Sequence, residues 1–489
     1  MARLRDLRDY LDALTKLGDL THISREVSAD LEAAAMGRLS YERRSPAFLF
    51  ENVAGVEPGF RLLGAPVGLS SRDDMPLARL ALSVGLPPGT TASDLVEHLA
   101  RISNLAPISP RRVARAEAAC KQNVLLGAAA TLDRFPVPMV HEHDGGPYPG
   151  TWSVIVARTP DGRWTNWSNA RIMMIDDQHM TGQVVPYQHI GMIWQEWANL
   201  GEPMPFALVQ GGDPAVPIIG GIPFPDKDRD EAGYIGALYG EPIDVVRCET
   251  VDLDVPASAE VVIEGHLSVS RDALEGPFGE FAGYMPTETS MQPIYTVEAI
   301  TYRDDPIWPF VAEGRPVDEY HLVSGAGMCA EILAALRATG LPISTVWKPL
   351  HAAGHWTVIT VPSDWRDRLP GINSTEFVHR IGMALQECRS GRVTSANFVL
   401  DDDIDPSDDA ELLWALATRV HPHLRVEAFD GLIVSLMTCF TDEEREAGRA
   451  KEVIHDALLP APADGRLAHS SFEQAYPEHI RKRVLEHWV

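Results

Sequence analysis

The spacing of apolar residues predicts elements of different periodicity along the chain. Near the start, apolar side chains recur at helical spacing, at Leu4, Leu7, Leu11 and Leu14. Between about residues 125 and 310, short apolar runs alternate with Gly, Pro and Asp clusters, as in WSVIVAR, ARIMMID, FALVQGG, VVIEGHLSV and PIYTVEAITY. That spacing is typical of short strands. We therefore expect a helical start followed by a β-rich middle domain, of which a barrel is one form.

The region after about residue 318 has a different pattern, because helical and strand periodicities alternate there. HLVSGAGMCAEILAALRATG and STEFVHRIGMALQEC have helical spacing, whereas HWTVITV and ANFVLDDDID have the pattern of strands. This alternation favours an α/β C-terminal domain. The last segment, EHIRKRVLEHWV, predicts a helix with one apolar stripe that we expect to contact a partner subunit, formed by Ile480, Val484, Leu485 and Trp488.

Composition and charge exclude several classes of function. The chain has 489 residues, enough for two or three domains, and 42 basic against 69 acidic residues give a net charge of −27. Such an acidic chain lacks the basic patches that nucleic acids or anionic membranes require. The sequence has no run of about 18 apolar residues, so no membrane span is predicted. Carboxylates interrupt the N-terminal apolar stretch, whereas a signal peptide needs an uninterrupted apolar core there. With five scattered cysteines, the pattern predicts a cytoplasmic protein without disulfides.

The segment TNWSNARIMMIDD, residues 165–177, places two polar side chains in apolar and aromatic surroundings. Asn166 and Arg171 are five residues apart, so on a regular strand they would face opposite sides of the sheet. They can share a site if a bulge intervenes at Ser168–Asn169. The alternative is an ordinary barrel strand that carries a surface arginine.

A histidine and a glutamate are further candidates. His189 precedes the helical pattern of Ile190, Ile193, Trp194 and Trp197, and Gly201 follows that pattern. A neutral imidazole at a helix start can bind a metal or a phosphate, although a capping histidine is the simpler interpretation. Glu231, in DRDEAGYIG, is by itself one acid in a solvated charge run.

The segment LEGPFGEFAGYM, residues 274–285, places Glu275 and Glu280 around a Gly-Pro-Phe-Gly turn. We expect the turn to direct both carboxylates into one cavity. The aromatic residues Phe278, Phe281 and Tyr284 would exclude water there and suit one carboxylate to proton transfer. The alternative is a polar hairpin tip in water, and paired acids also occur in glycosidases.

Two further polar segments carry weaker signals. The glycine-rich HEHDGGPYPGTW, residues 141–152, suits a loop that closes near a ligand, and it lacks the further ligands that a zinc site needs. The acid run Asp401–Asp403 with Asp405 is interpreted as a solvated strand end.

Taken together, these segments resemble the UbiD family of decarboxylases, which use prenylated FMN, and specifically its ferulic acid decarboxylase branch. The matching segments run in order from about residue 45 to 488: TNWSNAR, QHIG, EAGYIGA, LEGPFGEFAGYM, DDDIDP, LLWALATRVHP and SSFEQAYPE. The resemblance implies a multidomain α+β and α/β fold with a central split β-barrel that binds the flavin. It implies an N-terminal α/β domain over 1–122, the barrel over 123–315, and a linking helix with a C-terminal α/β oligomerisation domain over 316–489.

The resemblance also implies roles for individual residues. Three residues would hold Mn²⁺ against the flavin phosphate, namely Asn166, His189 and Glu231. A K⁺ ion would lie beside the Mn²⁺. Flavin contacts would come from Thr151, Ser168, Gln188 and Pro223, and Arg389 stands where the ferulic branch has a lysine that reaches the phosphate. The catalytic network would be Arg171, Glu275 and Glu280. The substrate pocket would be formed by Tyr320, Ser324, Leu432 and Val434.

The implied reaction is the reversible, non-oxidative decarboxylation of an aromatic, heteroaromatic or α,β-unsaturated acid through a covalent prenylated-FMN adduct. Arg171 would orient the carboxylate, Glu275 would hold Arg171, and Glu280 would deliver the proton that replaces CO₂. The polar Tyr320 and Ser324 suit a heteroaromatic acid better than a plain cinnamate, and a polyunsaturated acid remains an alternative. A flavin prenyltransferase would supply the cofactor, and the chain would form a homodimer or a higher homo-oligomer.

Alternatives from other classes stay open at this point. A split-barrel enzyme that uses ordinary FMN for redox chemistry would need a nicotinamide site, and no GxGxxG follows a predicted strand. A metal-dependent hydrolase would use Asn166, His189 and Glu231 without a flavin. A catalytically silent subunit would leave the Arg–Glu–Glu set without a role.

Overall fold

A computed structural model describes residues 3–102, 104–222, 230–460 and 469–488 of the chain. The N-terminal region is a small sheet with helices against it, built from α1 (Leu7–Leu17), β1 (Leu20–Ile23), α2 (Glu32–Arg43), β2 (Ala47–Phe50), β3 (Arg61–Gly64), α3 (Ala78–Ser83) and α4 (Ala92–Ile102). β1 and β2 are parallel, β2 and β3 are antiparallel, and a later strand, Ile307–Phe310, completes the sheet beside β3.

The predicted first helix is confirmed, and its ends have clear causes. The Asp6 side chain accepts a hydrogen bond from the amide of Asp9 at the start of α1, and Gly18 ends the helix at φ 75°. The buried face carries Leu7, Leu11 and Leu14, at the predicted spacing. Helical periodicity therefore located this element correctly.

The middle region is rich in strands, as predicted. Its elements are β4 (Arg111–Arg112), β5 (Asn123–Leu126), β6 (Ser153–Arg158), β7 (Thr165–Asn169), β8 (Ile172–Asp176), β9 (His179–Gly182), α5 (His189–Leu200), β10 (Met204–Gln210), α6 (Ala215–Gly220), α7 (Glu231–Tyr239), β11 (Asp244–Arg247), β12 (Asp254–Pro256), β13 (Val261–Leu267), β14 (Ala273–Glu275), β15 (Ser290–Gln292), β16 (Ile294–Tyr302) and β17 (Ile307–Phe310). Eight strands form one antiparallel sheet in the order β7-β6-β10-β13-β16-β9-β8, with β5 also paired to β16. The sheet curls into a half-barrel.

The C-terminal region is the predicted α/β unit. A π-helix, Tyr320–Ser324, runs directly into α8 (Gly325–Ala338), which packs against α4 of the N-terminal region. The remaining elements are β18 (Thr345–Trp347), β19 (Trp356–Val361), α9 (Trp365–Arg368), α10 (Ser374–Gln386), β20 (Ala396–Asp401), α11 (Asp409–Arg419), β21 (Val426–Leu432), α12 (Asp442–Ala447), β22 (Arg449–Asp456), α13 (Phe472–Ala475) and α14 (Glu478–Trp488). Five strands form a sheet in the order β18-β19-β20-β22-β21.

The three regions share one core. A continuous cluster of buried apolar side chains includes Phe50 of the first sheet, Ile263 of the half-barrel and Val399 of the last sheet. Burial of this kind stabilises the regions against one another. The cavity described next is lined by residues of the middle and C-terminal regions. Within the described ranges, every helix is too short or too polar to cross a membrane.

Candidate active site

One cavity of about 340 Å³ gathers most of the predicted site residues. Eleven of the fifteen line it, namely Thr151, Asn166, Ser168, Arg171, Gln188, His189, Glu231, Glu280, Tyr320, Ser324 and Arg389. Glu275 lies behind Arg171 and holds it. Leu432 and Val434 are not among the described residues that line the cavity, and Pro223 lies outside the described residues.

Arg171 reaches the cavity because a strand ends before it. β7 pairs with β6 in unbroken register up to Asn169, and Arg171 lies in the connection between β7 and β8. The predicted bulge at Ser168–Asn169 is therefore wrong, and so is the alternative of a surface arginine, since the Arg171 side chain is only 17% exposed. The break in the strand removes the alternation that would have separated Arg171 from Asn166.

The Arg171 guanidinium lies between two carboxylates. Its Nε donates to Glu275 Oε1 at 2.9 Å and its Nη2 to Glu275 Oε2 at 3.1 Å, while Nη1 contacts Glu280 Oε1. The Tyr148 hydroxyl donates to Glu275 Oε1 at 3.3 Å. Burial alone would lower the pKa of Arg171, but the contacts with Glu275 outweigh it and raise that pKa. The site thus presents a permanent cation to the cavity.

The turn that carries Glu280 is fixed by the 141–146 loop. The amide of Gly279 donates to Asp144 Oδ1 at 2.9 Å, and the amide of Gly145 donates to the Pro277 carbonyl at 2.8 Å. Gly276 has φ 86°, a conformation that favours glycine. The glycine-rich loop therefore supports the turn that carries Glu280, while its last two residues, Thr151 and Trp152, line the cavity.

Both carboxylates of this turn are buried. Glu275 is 1% and Glu280 5% exposed, so the alternative of a hairpin tip in water is wrong. Phe278 and Phe281 exclude water as predicted, whereas Tyr284 is 60% exposed and does not. Phe281 instead stacks on Tyr320, with ring centroids 3.6 Å apart.

A second group of polar side chains lies at the other side of the cavity. Asn166 Nδ2 donates to Glu231 Oε1 at 2.8 Å and lies 3.3 Å from His189 Nδ1, and the Trp167 amide donates to Glu231 Oε2 at 2.7 Å. Glu231 begins α7 and is 4% exposed, so its interpretation as an acid in a solvated run is wrong. Burial raises the pKa of Glu231 to about 8.

Several buried polar atoms around this group have no partner within the described residues. They are Ser153 Oγ, Asn166 Oδ1, Ser168 Oγ and Asn169 Oδ1. An added Cβ at Gly220 would come within 2.9 Å of Val154 Cγ1 and 3.0 Å of Asn169 Oδ1, so α6 packs against β6 and β7 at a distance that only glycine allows. The unpaired buried donors and acceptors beside this close contact fit a polar ligand such as a phosphate.

The side chains of Asn166, His189 and Glu231 fit a cation only together with a phosphate. Among the described residues, no three His, Cys, Asp or Glu side chains cluster as a metal site. Asn166, His189 and Glu231 offer one amide, one imidazole and one carboxylate, a mixed O/N set that suits Mn²⁺ when phosphate oxygens complete it. The residues present thus fit a metal bound jointly with a phosphate group.

Arg389 reaches the cavity from the loop after α10. Ser390 Oγ donates to Glu331 Oε2, and Cys388 Sγ donates to Glu331 Oε1 at 3.5 Å. Glu331 lies on α8, so the linking helix fixes the loop that carries Arg389.

Two carboxylates of the cavity were not predicted from the sequence. Glu313 and Glu319 both line it and flank the irregular segment GRPVD, where no hydrophobic period marks a buried face. The Glu319 carboxylate accepts from the Tyr41 hydroxyl and from the Val67 amide at 2.9 Å. Burial raises the pKa of Glu319 to about 7. The density of acids in AEGRPVDEY was the only available signal.

Comparisons with known proteins identify the family of the chain. Three family profiles cover most of the chain: the 3-octaprenyl-4-hydroxybenzoate carboxy-lyase N-terminal domain over residues 11–99, its Rift-related domain over 111–316 and its C-terminal domain over 321–451. A pyrrole-2-carboxylic acid decarboxylase of Pseudomonas aeruginosa is 39% identical over 99% of this chain and 97% of its own length. Ferulic acid decarboxylase 1 of Saccharomyces cerevisiae is 34% identical over 99% and 97%.

Solved structures give the same result. The UbiD-class enzyme HmfF from Pelotomaculum thermopropionicum, in complex with FMN, matches with a TM-score of 0.81 and 25% identity over 95% of this chain and 97% of its own. An evolved dimeric form of that enzyme, in complex with prFMN, matches with a TM-score of 0.79 and 25% identity over 96% and 98%. The predicted resemblance is confirmed: this chain belongs to the UbiD family of carboxy-lyases, and it is an enzyme.

Proposed function

We propose that this enzyme decarboxylates, reversibly, an aromatic, heteroaromatic or α,β-unsaturated carboxylic acid. The observation that carries the proposal is the pairing of Arg171 with Glu275 and Glu280 in the wall of a cavity. A permanent cation suits a carboxylate substrate, and a second carboxyl beside it suits proton transfer. The relatives named for pyrrole-2-carboxylic acid and ferulic acid support this substrate range.

We propose that the cavity holds prenylated FMN with Mn²⁺ and K⁺. Asn166, His189 and Glu231 would hold Mn²⁺ against the phosphate, and Arg389 would pair with that phosphate bidentately. Thr151, Ser168 and Gln188 line the same cavity and would contact the flavin. When bound, the prenylated flavin supplies the covalent electron sink for the charge left on the carbon that loses CO₂. The HmfF complexes with FMN and prFMN support this choice.

The chain's own residues would orient the substrate and move the proton. Arg171 would bind the substrate carboxylate, and Glu275 would keep the guanidinium plane fixed. Phe281 and Tyr320 would exclude water and form a flat wall for an aromatic ring. Glu280 would deliver a proton to the carbon from which CO₂ departs, because its carboxyl lies at the same guanidinium. General acid catalysis of this kind contributes about 10² to 10⁴ in rate.

Two kinds of partner follow from the proposal. A flavin prenyltransferase would supply the cofactor. A second copy of the chain would cover part of α14, where Leu485 is 54% and Trp488 82% exposed, and the dimeric form of HmfF supports a homodimer. The mass of the purified protein in solution tests this second point, and a monomer contradicts it.

The cofactor proposal is tested by purifying the chain from cells with and without a flavin prenyltransferase. We expect a bound flavin heavier than FMN by one prenyl group, with about one manganese per chain. Asn166→Ala should lose metal and flavin together, whereas Asn199→Ala, at an exposed position of α5, should keep both. Plain FMN with nicotinamide oxidation would favour a redox enzyme instead. Hydrolysis by metal-loaded, flavin-free protein would favour a hydrolase.

A further inference from the structure

His141 begins the glycine-rich segment 141–152, and the proposed mechanism gives it no role. Its imidazole packs directly against the turn that carries Glu280. An added Cβ at Gly279 would come within 2.5 Å of the imidazole Nδ1, and the ring of Phe278 lies edge-on to the imidazole, with centroids 5.7 Å apart. The His141 side chain is 18% exposed. The imidazole therefore occupies a place beside the turn that only a glycine at position 279 allows.

One side of the imidazole is joined to the turn through Asp144. His141 Nδ1 lies 3.0 Å from Asp144 Oδ2 and 3.2 Å from Asp144 Oδ1, and the His141 amide donates to Oδ2 at 2.9 Å. Asp144 Oδ1 also accepts from the amide of Gly279 at 2.9 Å. The buried carboxylate of Asp144 thus connects the imidazole to the residue that precedes Glu280.

The other side of the imidazole is joined to the segment 312–321, which crosses the cavity wall. His141 Nε2 lies 2.9 Å from the carbonyl oxygen of Glu313. The same segment meets the turn a second time, where His321 Nε2 lies 3.0 Å from the Phe281 carbonyl oxygen. The turn and the segment 312–321 are therefore fastened to each other on both sides of Glu280.

The partners of the imidazole indicate its protonation. A backbone carbonyl oxygen only accepts hydrogen bonds, and the Asp144 carboxylate already accepts from two backbone amides. His141 can donate to both partners only when both of its ring nitrogens carry a proton. The resulting imidazolium lies beside the buried carboxylate, and a hydrogen bond between two charged groups is stronger than one between neutral groups. A neutral side chain at position 141 would leave the Asp144 carboxylate without this cation.

We propose that His141 is a positioning residue for Glu280, because it ties the turn to the segment 312–321. This inference rests on the proposed function, in which Glu280 delivers the proton. His141 is not among the described residues that line the cavity, so it would act on the substrate only through the turn. The fork between Arg171 and Glu275 does not include His141. Loss of His141 should therefore lower kcat and leave KM nearly unchanged.

Two variants of similar size each remove one of the two contacts. Asparagine places its amide nitrogen near the position of Nδ1, whereas glutamine places its amide nitrogen near that of Nε2, and both are neutral. We expect His141→Asn and His141→Gln each to lower kcat about tenfold, the cost of a slightly misplaced general acid, with KM changed less than about twofold. Wild-type kcat in His141→Asn would overturn the proposal, because the contact with the Glu313 carbonyl would then have no effect.

A matched control and a double variant show whether the effect passes through the turn. His179 also pairs with an aspartate three residues away, with Nδ1 2.8 Å from Asp176 Oδ1, but its side chain is 43% exposed. His179→Gln should leave kcat unchanged. Adding Asp144→Ala to His141→Gln should keep the loss in kcat near tenfold, because both residues act on the same turn. A loss of about 100-fold in the double variant, the product of two independent effects, would overturn the proposal.

Hydrogen–deuterium exchange tests the same link without turnover. The full chain is purified from cells that lack a flavin prenyltransferase, and exchange is followed in peptides that contain the turn, residues 276–283. We expect exchange there to be about tenfold faster in both His141 variants than in wild type and His179→Gln, with the rest of the chain unchanged. Unchanged exchange of the turn in both variants would overturn the proposal.

The two readouts separate this inference from the proposed function. Faster exchange of the turn in the His141 variants, in a protein whose flavin-loaded wild type decarboxylates no acid, would uphold the link and overturn the decarboxylase. Decarboxylation by the wild type with the same kcat in both His141 variants would uphold the decarboxylase and overturn the role of His141.

Discussion

Arg171 and Glu275 are joined by two parallel hydrogen bonds, from Nε to Oε1 at 2.9 Å and from Nη2 to Oε2 at 3.1 Å. This fork fixes the plane of the guanidinium, so that Nη1 is left for Glu280 and for the cavity. Glu275 is 1% exposed and would therefore act on the substrate only through Arg171. In the proposed mechanism Glu275 is thus a positioning residue, and Arg171 and Glu280 are the groups that would meet the substrate.

We predict that Glu275→Gln lowers kcat/KM by about 10- to 100-fold, because glutamine can accept only one of the two hydrogen bonds from Arg171 and carries no charge. Most of the loss should appear as a higher KM, since a loosened guanidinium binds the carboxylate less well. Steady-state kinetics on flavin-loaded protein provide the check. An unchanged KM would show that Arg171 keeps its orientation without Glu275.

Asp144 is predicted to act through the turn that carries Glu280. Asp144 Oδ1 accepts from the amide of Gly279 at 2.9 Å, and Asp144→Ala removes that support. We expect kcat to fall about tenfold with little change in KM, the cost of a misplaced general acid. Asp161→Ala is the matched control, because Asp161 Oδ1 also accepts from a turn amide, that of Arg163 at 3.1 Å, but at an exposed site. Equal effects of the two variants on kcat would contradict the role of Asp144.

Gly220→Ala is predicted to weaken flavin binding. The added Cβ would meet Val154 Cγ1 at 2.9 Å and Asn169 Oδ1 at 3.0 Å, and would displace the wall of the cavity beside the unpaired polar atoms. We expect about 1–3 kcal/mol of lost stability from overpacking and a clear fall in flavin per chain after gel filtration. Gly89→Ala, whose Cβ would meet only Met75 Cγ at 3.9 Å, should leave both quantities unchanged. Full flavin occupancy in Gly220→Ala would argue for a different phosphate site.

Lys348 gives a prediction about stability. It is 1% exposed, its Nζ donates to the Gly354 carbonyl at 3.0 Å and to Thr357 Oγ1 at 3.2 Å, and burial lowers its pKa to about 8. The unfolded chain, with a lysine pKa of about 10.4, binds more protons than the folded chain between pH 8 and 10.4, so stability rises with pH in that window. Below pH 8 the buried charge costs about 3 kcal/mol.

Lys348→Met should therefore stabilise the protein at pH 7 by about 1–3 kcal/mol, since part of the gain is lost with the two hydrogen bonds. The difference from wild type should shrink as the pH rises from 8 to 10, which denaturant unfolding can measure. Lys121→Met is the contrasting variant. Lys121 Nζ pairs with the buried Glu264 Oε1 at 3.0 Å, so its removal should destabilise the fold. A constant difference between wild type and Lys348→Met across pH 8–10 would contradict this account.

Local patterns predicted local structure well. α1 and α5 were found from helical spacing, because a buried stripe and a glycine at the end are properties of a short window. α14 was found from its apolar spacing alone. The strand runs of the middle region were found for the same reason. The resemblance to a known family then brought together residues that are far apart in the chain, which no periodicity could do.

Tertiary packing decided what local patterns could not. The carboxylate of Glu231 belongs to a charged segment by composition, yet α7 packs against β7 and buries it. Arg171 enters the cavity because β7 ends at Asn169, and no residue type in that segment marks the end. Glu313 lies in an irregular segment, so its place in the cavity wall follows only from the strands and loops around it. Site residues of this kind follow from the whole fold and not from a window of sequence.

The central claim is that this cavity removes CO₂ from an acid held by Arg171, with Glu280 supplying the replacing proton. The most direct test is the CO₂ released from pyrrole-2-carboxylate and cinnamate-type acids by protein loaded with prenylated flavin, by unloaded protein and by loaded Glu280→Gln protein. We predict release by the loaded wild type, none by the unloaded protein and a rate about 10² to 10⁴ lower for Glu280→Gln. Full-rate release by flavin-loaded Glu280→Gln protein, or equal release without flavin, would contradict the account.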